Sequence, residues 1–384
     1  MINAYLKKLE KGCIATEKVY LMKIFNYTED CTTRSLEYPA YFAHLYPDEK
    51  LLFFDIETTG FAAKHTTLYL IGVLWYEDGK IQIRQWFNED GRCEGEILTA
   101  FEDFCKNFKY LVHYNGLGFD LPYLSQKSSM LNQSFHVNQT LKQLDIYKEI
   151  RSYRNILGME SMKQVAVEDY LGIERKDQYS GGELIQIYQR YVARPNPTWE
   201  NLLLQHNHDD LIGMPQISKI LNYKAFFENS EIISLETKTD ADHLHVIFTV
   251  PDYADLPSRI SFCKHDIYLH AYGQNAILEL PIYTGILKHY FTDYKNYYYL
   301  PEEDMAIHKS VATYVESQRR ERAKKSTCYV KKEGCFIPCS DADYTEVFRF
   351  DETASACYQT LESFIDSDIH QQNHYIKKIL LKIL

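Results

Sequence analysis

The chain has 384 residues, more than one compact domain usually holds, so two domains are expected. Its 45% hydrophobic and 25% charged residues are ordinary globular values, and no apolar run approaches the length that a membrane-spanning helix needs. The formal net charge of −11 argues, as a sum, against a nucleic-acid partner, but local basic patches outweigh the sum for a protein that holds cations in an acidic site. Nine cysteines, an odd number without close pairing, fit reduced thiols in a cytoplasm better than a disulfide framework. The first ten residues carry Lys7, Lys8 and Glu10 and no apolar core, so no secretory signal is expected. The expected location is cytoplasmic, without a membrane partner.

Residues 1–49 show no clear period and read as an N-terminal extension, with a short helix over 6–14. Apolar segments at 51–56, 68–75 and 81–87 follow, and Glu77-Asp78-Gly79 between the last two is a hairpin signal. The three read as an antiparallel meander. Apolar residues at helical spacing predict a helix over 93–108. A strand at 110–114 ends at Asn115-Gly116-Leu117-Gly118-Phe119-Asp120, and a helix is expected from 120 to about 128. A fifth strand is expected at 141–144, ending at Asp145, whose role is either in the site or as a helix cap. From 146 to 223 the pattern is mostly helical, with Ser161 and Thr198 as caps and a helix opening at Ser180-Gly181-Gly182-Glu183. The order is that of an α/β fold with a mixed sheet, helices on both faces and the strand at 51–56 central. Beyond about 224 the character changes to a smaller α+β domain, 224–384. It has short strands near 232–237, 243–251, 260–262 and 266–271, a charged helix over 305–325, a hairpin joining 328–330 to 335–338 and a helical tail over 361–384.

Alternate residues of a strand share a face, so Asp55 and Glu57 project together while Ile56 points away. Two carboxylates side by side repel, and a divalent cation between them relieves the repulsion. Solvated acids at a strand end are the plain alternative. Asp120 reads as a helix N-cap or as a further ligand. His206 and Asp210 sit four apart on one helix face, in His206-Asn207-His208-Asp209-Asp210; a polar helix face is the plain alternative here as well.

The three elements form one ordered set. With the stretches "FFDIETTG", "LYLIGV", "HYNGLGFDLPYL", "SMKQVAVEDYLGI" and "HNHDDL", residues 50–222 resemble the DEDD superfamily of 3′–5′ exonucleases, and within it the YprB-type ribonuclease H-like family. The resemblance implies a ribonuclease H-like mixed sheet flanked by helices. It implies that Asp55, Glu57, Asp120 and Asp210 hold two Mg²⁺ or Mn²⁺ ions and that His206 orients or deprotonates the attacking water. It also implies that Thr58 and Gly60 lie where the backbone approaches the terminal nucleotide at the 3′ end of DNA or RNA; Asn115 is read either as a substrate contact or as a brace for its turn. One departure stands out: superfamily members with a Tyr in the base position place it four residues before the last Asp, and those with a His usually five. Here a His stands at the Tyr spacing. His208 and Asp209 point roughly 200° and 300° round the helix from His206 and are poorer candidates.

Tyr114 and Tyr123 are stacking candidates, with core packing the plainer role. Arg151, Arg154, Lys163, Arg175, Lys176, Arg190 and Arg194 cluster before the last element and would suit a phosphate track. Arg319-Arg320-Glu321-Arg322-Ala323-Lys324-Lys325, with Tyr297 to Tyr299 upstream, is a second basic and aromatic stretch, either a nucleic-acid face or a solvated helix. Cys328, Cys335 and Cys339 lack the tight pair of a zinc site and read as separate thiols. The expected activity is hydrolysis of phosphodiester bonds from a 3′ end. The competing classes are a binding or scaffold protein with a decayed site and an endonuclease on the same fold.

Overall fold

The computed structural model describes residues 18–19, 22–30, 37–173, 179, 181–340 and 346–384. The helix expected over 6–14, Arg175, Lys176 and Ser180 lie outside the described residues. Contacts divide the chain into two compact units, Met1–Lys224 and Ala225–Leu384.

The strands of the first unit are β1 (Lys18–Val19), β2 (Met22–Asp30), β3 (Leu51–Thr58), β4 (Leu68–Glu77), β5 (Lys80–Asn88), β6 (Tyr110–His113) and β7 (Lys142–Asp145). They form one mixed sheet in the order β1-β2-β5-β4-β3-β6-β7. The β3–β4–β5 meander turns at Asp78 and Gly79, both with positive φ, as an Asp-Gly hairpin requires. β6 and β7 run parallel to β3. β3 is interior, between an antiparallel and a parallel neighbour, and the middle place of the seven falls to β4. The aperiodic stretch before β3 supplies β2, which pairs with β5.

The alternation along β3 decides what each face carries. Leu52, Phe54 and Ile56 point into one core with Ile97, Leu98 and Phe101 of the helix Glu94–Cys105 and Leu121 and Leu124 of the helix Asp120–Met130. On the opposite face, Tyr69, Leu70 and Phe87 pack with Leu184, Tyr188 and Tyr191 of Gly181–Ala193 and Leu203 and Leu204 of Pro197–Ile217. Asp55 and Glu57 face that second side.

Two caps differ from expectation. The cap of Pro197–Ile217 is Asn196, whose side chain accepts from the Thr198 N–H, with Pro197 in the first helical position. Ser161 accepts from the Lys163 N–H ahead of a helix that starts at Gln164, so it closes a turn instead of capping the helix.

The second unit holds a five-stranded antiparallel sheet, a closed four-stranded barrel and a three-stranded sheet. The sequence over 305–325 is not one helix: it forms the strands Met305–His308 and Glu321–Arg322 on either side of Tyr297–Leu300, with short helical turns at Lys309–Ala312 and Ser317–Arg319. The strand pairings carry the tyrosines, and the charges that suggested a helix are the outward residues of strands and turns. The expected hairpin at 328–338 is one strand, Tyr329–Pro338, paired along its length with Tyr283–Tyr290. Cys328 and Cys339 flank opposite ends of that strand, a span of about 36 Å of extended chain at about 3.3 Å per residue, too far to share an ion. The tail ends in the helix Ile369–Ile383, capped reciprocally by Asp368 and Gln371. Among the described residues no helix is long and apolar enough to cross a membrane.

The Asn196 cap can be separated from the Thr198 alternative. Asn196→Ala should cost about 1 kcal/mol in urea-induced unfolding and Thr198→Ala only a few tenths. Equal costs would return the cap to Thr198.

Candidate active site

Asp55 lies opposite Gly72 of β4 in the sheet register. Above this pair passes the helix Pro197–Ile217, and Asn207 reaches down from it. A Cβ on Gly72 would stand 1.9 Å from Asn207 Oδ1, so only glycine lets the amide through. Asn207 is 0% exposed. Its Nδ2 donates to Asp55 Oδ2 at 2.9 Å, and its Oδ1 accepts from Gln85 Nε2 at 2.8 Å. The second bond fixes which end of the amide faces Asp55. Asn207 was absent from the candidates drawn from sequence; between two histidines on a polar helix it carries no local signal.

Two residues further along β3, on the same face, Glu57 accepts from the Tyr69 hydroxyl at 3.2 Å. His206 Nε2 lies 3.5 Å from Glu57 Oε1 and 3.5 Å from Asp210 Oδ2. One ligand atom each from Glu57, His206 and Asp210 falls within 4.8 Å of the other two. Asp120, 8% exposed, opens the helix Asp120–Met130, and its carboxylate accepts from its own backbone N–H.

The turn before Asp120 is held from below. Asp145 caps the helix that follows it and also accepts from the N–H groups of Asn115 (2.9 Å) and Leu117 (3.1 Å). Its role is thus structural, as a cap and a brace for the turn. His113 Nδ1 accepts from the Gly116 N–H at 3.1 Å. Burial keeps the His113 ring neutral by lowering its pKa, in line with an acceptor Nδ1 and an Nε2 facing Gln143 Oε1 at 3.2 Å. Asn115 takes the left-handed conformation, φ 61°.

The acids make the site's electrostatics. Burial raises the Asp55 pKa well above the carboxylate range, and the charges of Glu57, Asp210 and Asp120 add to it against the Asn207 hydrogen bond. Glu57 is raised to about 7 by burial, opposed by His206 and reinforced by Asp210. Asp120 is raised to about 7, again by burial first. Buried acids whose charges bear on Asp55 and Glu57, beside an imidazole, are a donor set that suits a hard divalent cation. The residues present therefore fit such ions.

Other residues singled out from sequence fall elsewhere. The Thr58 hydroxyl donates to the Gly60 carbonyl at 2.9 Å, closing its own loop. His208 faces Glu29 and Asp209. Burial alone would lower its pKa, but hydrogen bonds to those two acids raise it, which makes it a tie to β2. Tyr123 is buried in the core and hydrogen-bonds Thr66 at 2.9 Å. Phe61, next to Gly60, is 90% exposed and meets Phe119 edge to face at 5.7 Å, an exposed aromatic that nothing in the local sequence pattern marks.

Two outcomes follow from this geometry. Asn207→Ala should weaken Mn²⁺ binding 10- to 100-fold in calorimetric titration. Gly72→Ala, which removes no polar group, should do the same by displacing the amide; unchanged affinity in Gly72→Ala would show that Asn207 does not position Asp55. The second outcome concerns pH. A folded-state pKa of about 7 for Glu57, above its ordinary 4.5, means that folding stability falls as pH rises between those values. At pH 8 without divalent cations, Glu57→Gln should stabilise the protein by ~1–3 kcal/mol, and near pH 5 the gain should shrink. Thermal melts at the two pH values check the sign.

Residues 52–222 match the family model described as RNase_H superfamily. No curated protein matches the chain. Among solved structures, the chain is similar to the family B DNA polymerase of the hyperthermophilic archaeon Pyrobaculum calidifontis, at 15% identity and a TM-score of 0.39 over 65% of this chain and 35% of that one. It is similar to an apo exonuclease I at 9% identity and 0.32, over 52% of this chain and 56% of that one. A third likeness is to the exonuclease I of Methylocaldum szegediense, at 14% identity and 0.27, over 40% and 42%. The chain thus spans less than two thirds of the length of each. Residues 52–222 are an RNase H-like domain within a mixed α/β architecture.

Proposed function

We propose that the first unit is a divalent-metal-dependent nuclease that removes nucleoside 5′-monophosphates from the 3′ end of DNA or RNA, of the YprB type its sequence resembles. The observation that carries this reading is the meeting of Glu57, His206 and Asp210, whose ligand atoms lie within 4.8 Å of one another, near buried Asp55, which feels the charges of Glu57, Asp210 and Asp120. The four carboxylates would hold Mg²⁺ or Mn²⁺, which, when bound, neutralises phosphate charge and acidifies water.

The remaining work falls to the chain's own groups. Asn207 orients Asp55 and Tyr69 orients Glu57, each through a neutral donor. His206 Nε2 accepts the proton of the attacking water. The water oxygen bonds to phosphorus, the bond from phosphorus to the 3′ oxygen of the preceding nucleotide breaks, and that oxygen takes a proton from solvent water and leaves as a hydroxyl; His206 then returns its proton to solvent. His206 does this from the four-residue spacing because its Nε2 already faces both Glu57 and Asp210. Thr58, Gly60 and Asn115 are assigned to the terminal nucleotide. Phe61, solvent-facing beside them in sequence, is suited to stacking on a base.

The purified full chain with Mn²⁺ and an oligonucleotide labelled at its 3′ end should release labelled mononucleotides. Asp55→Ala should lower the rate at least 100-fold, and His206→Ala should lower kcat with little change in KM. Longer labelled fragments would point to endonuclease action. No release from RNA, single-stranded DNA or duplex DNA would leave a binding role in place of an enzyme.

A further inference from the structure

Beside the Asn115 turn lies a cavity of about 900 Å³, the size of a nucleotide-binding pocket. It is walled by the residue that follows β6, by the short helix Ile146–Ile150 and the turn after it, and by the approach to the helix Gln164–Leu171. Of the basic residues scattered along this part of the sequence, Arg151, Arg154 and Lys163 line it, against a single carboxylate, Glu160. Arg190 and Arg194 are exposed and line no part of it.

The three cations play different parts. Arg154 donates from Nε to the Met159 carbonyl at 3.0 Å and from Nη2 to the Glu160 carbonyl, so it shapes the wall. Arg151 and Lys163 make no ion pair among the described residues and face the cavity as unengaged positive charge. Two tyrosines complete the lining: Tyr114 and Tyr147, with ring centroids 6.0 Å apart and planes inclined by 56°. Tyr114 is fixed by donating its hydroxyl to the Met162 carbonyl at 2.5 Å. Fixed aromatic faces with two unpaired cations are the elements that hold a base and its phosphate in single strands. Asn115 belongs both to this cavity and to the turn that delivers Asp120.

We propose that this cavity is a subsite for single-stranded nucleic acid, in which a nucleotide short of the cleaved 3′ end stacks against Tyr147 or Tyr114 while its phosphate meets Arg151 and Lys163. It rests on the nuclease reading for its orientation, but its affinity for a strand does not depend on hydrolysis. A protein with net charge −11 has to concentrate its attraction for phosphate locally, and in this cavity cations and aromatic faces come together close to the Asn115 turn.

The test uses the full-length protein and a fluorescent single-stranded 12-mer, with anisotropy read in Ca²⁺ so that binding is measured without turnover. The double variant Arg151→Ala with Lys163→Ala should raise Kd at least fivefold and flatten the slope of log affinity against log salt by ~1.4, the value for two phosphate contacts on a single strand. Arg190→Ala with Arg194→Ala removes the same charge outside the cavity and should change Kd less than twofold. Tyr147→Ala should raise Kd about tenfold. A change below fivefold in the first variant, an equal change in the control pair, or no binding of the 12-mer by the parent protein overturns the subsite. In Mn²⁺, a parent protein that binds but never cleaves defeats the nuclease reading and leaves the subsite standing. Cleavage with unaltered KM in the Arg151 and Lys163 variant defeats the subsite and leaves the nuclease reading standing.

Discussion

The constraint on which the first unit depends is the repulsion among carboxylates packed between a sheet and a helix. Asp55, Glu57 and Asp120 all hold their protons more tightly than free acids do, and burial heads the causes each time. Their hydrogen-bond partners are an amide, a phenol and a backbone N–H. A lysine or arginine in any of these places would have neutralised the acids and stabilised the fold directly. Neutral donors fix direction without cancelling charge, so the attraction for a cation is kept intact. The cost in stability is the ordinary one for a site arranged for binding.

That choice propagates outward. For Asn207 to reach Asp55 the strand opposite must have no side chain, which is why Gly72 sits in register with Asp55 in an otherwise apolar strand. The amide needs a partner that sets its orientation, and buried Gln85 on β5 supplies one. On the other side, Asp120 arrives by a turn whose N–H groups are gathered by Asp145 and His113. Three neighbouring strands and two helices are thereby specified by the demands of a few acids.

This separation explains what could be read from the chain alone. The shared face of Asp55 and Glu57 follows from a period of two, and the Asp-Gly hairpin and the helix Glu94–Cys105 from equally local patterns. Asn207 and Gly72 could not be found that way, because each has meaning only against a residue more than a hundred positions distant or on the facing strand. The same holds for β2, whose mixed composition suits a strand near a sheet edge and gives no periodic signal. Over 305–325, charge spacing suggested a helix, but there is no apolar stripe to bury one; pairing with the tyrosines of Tyr297–Leu300 decides the conformation instead.

The same repulsion bears on how an acidic chain would serve as the nuclease proposed above. Without cations a carboxylate cluster repels phosphate, so strand and metal would be coupled: whatever raised occupancy of one would raise affinity for the other, by the same factor in each direction. Arg151 and Lys163 line the cavity and not that cluster. On the proposed subsite, a strand would be held there before the acids are neutralised and would commit its end to the site only when they are. On this reading the net charge of −11 is no obstacle to nucleic-acid binding. It would favour an approach, such as this cavity, where cations and aromatic faces precede the acids.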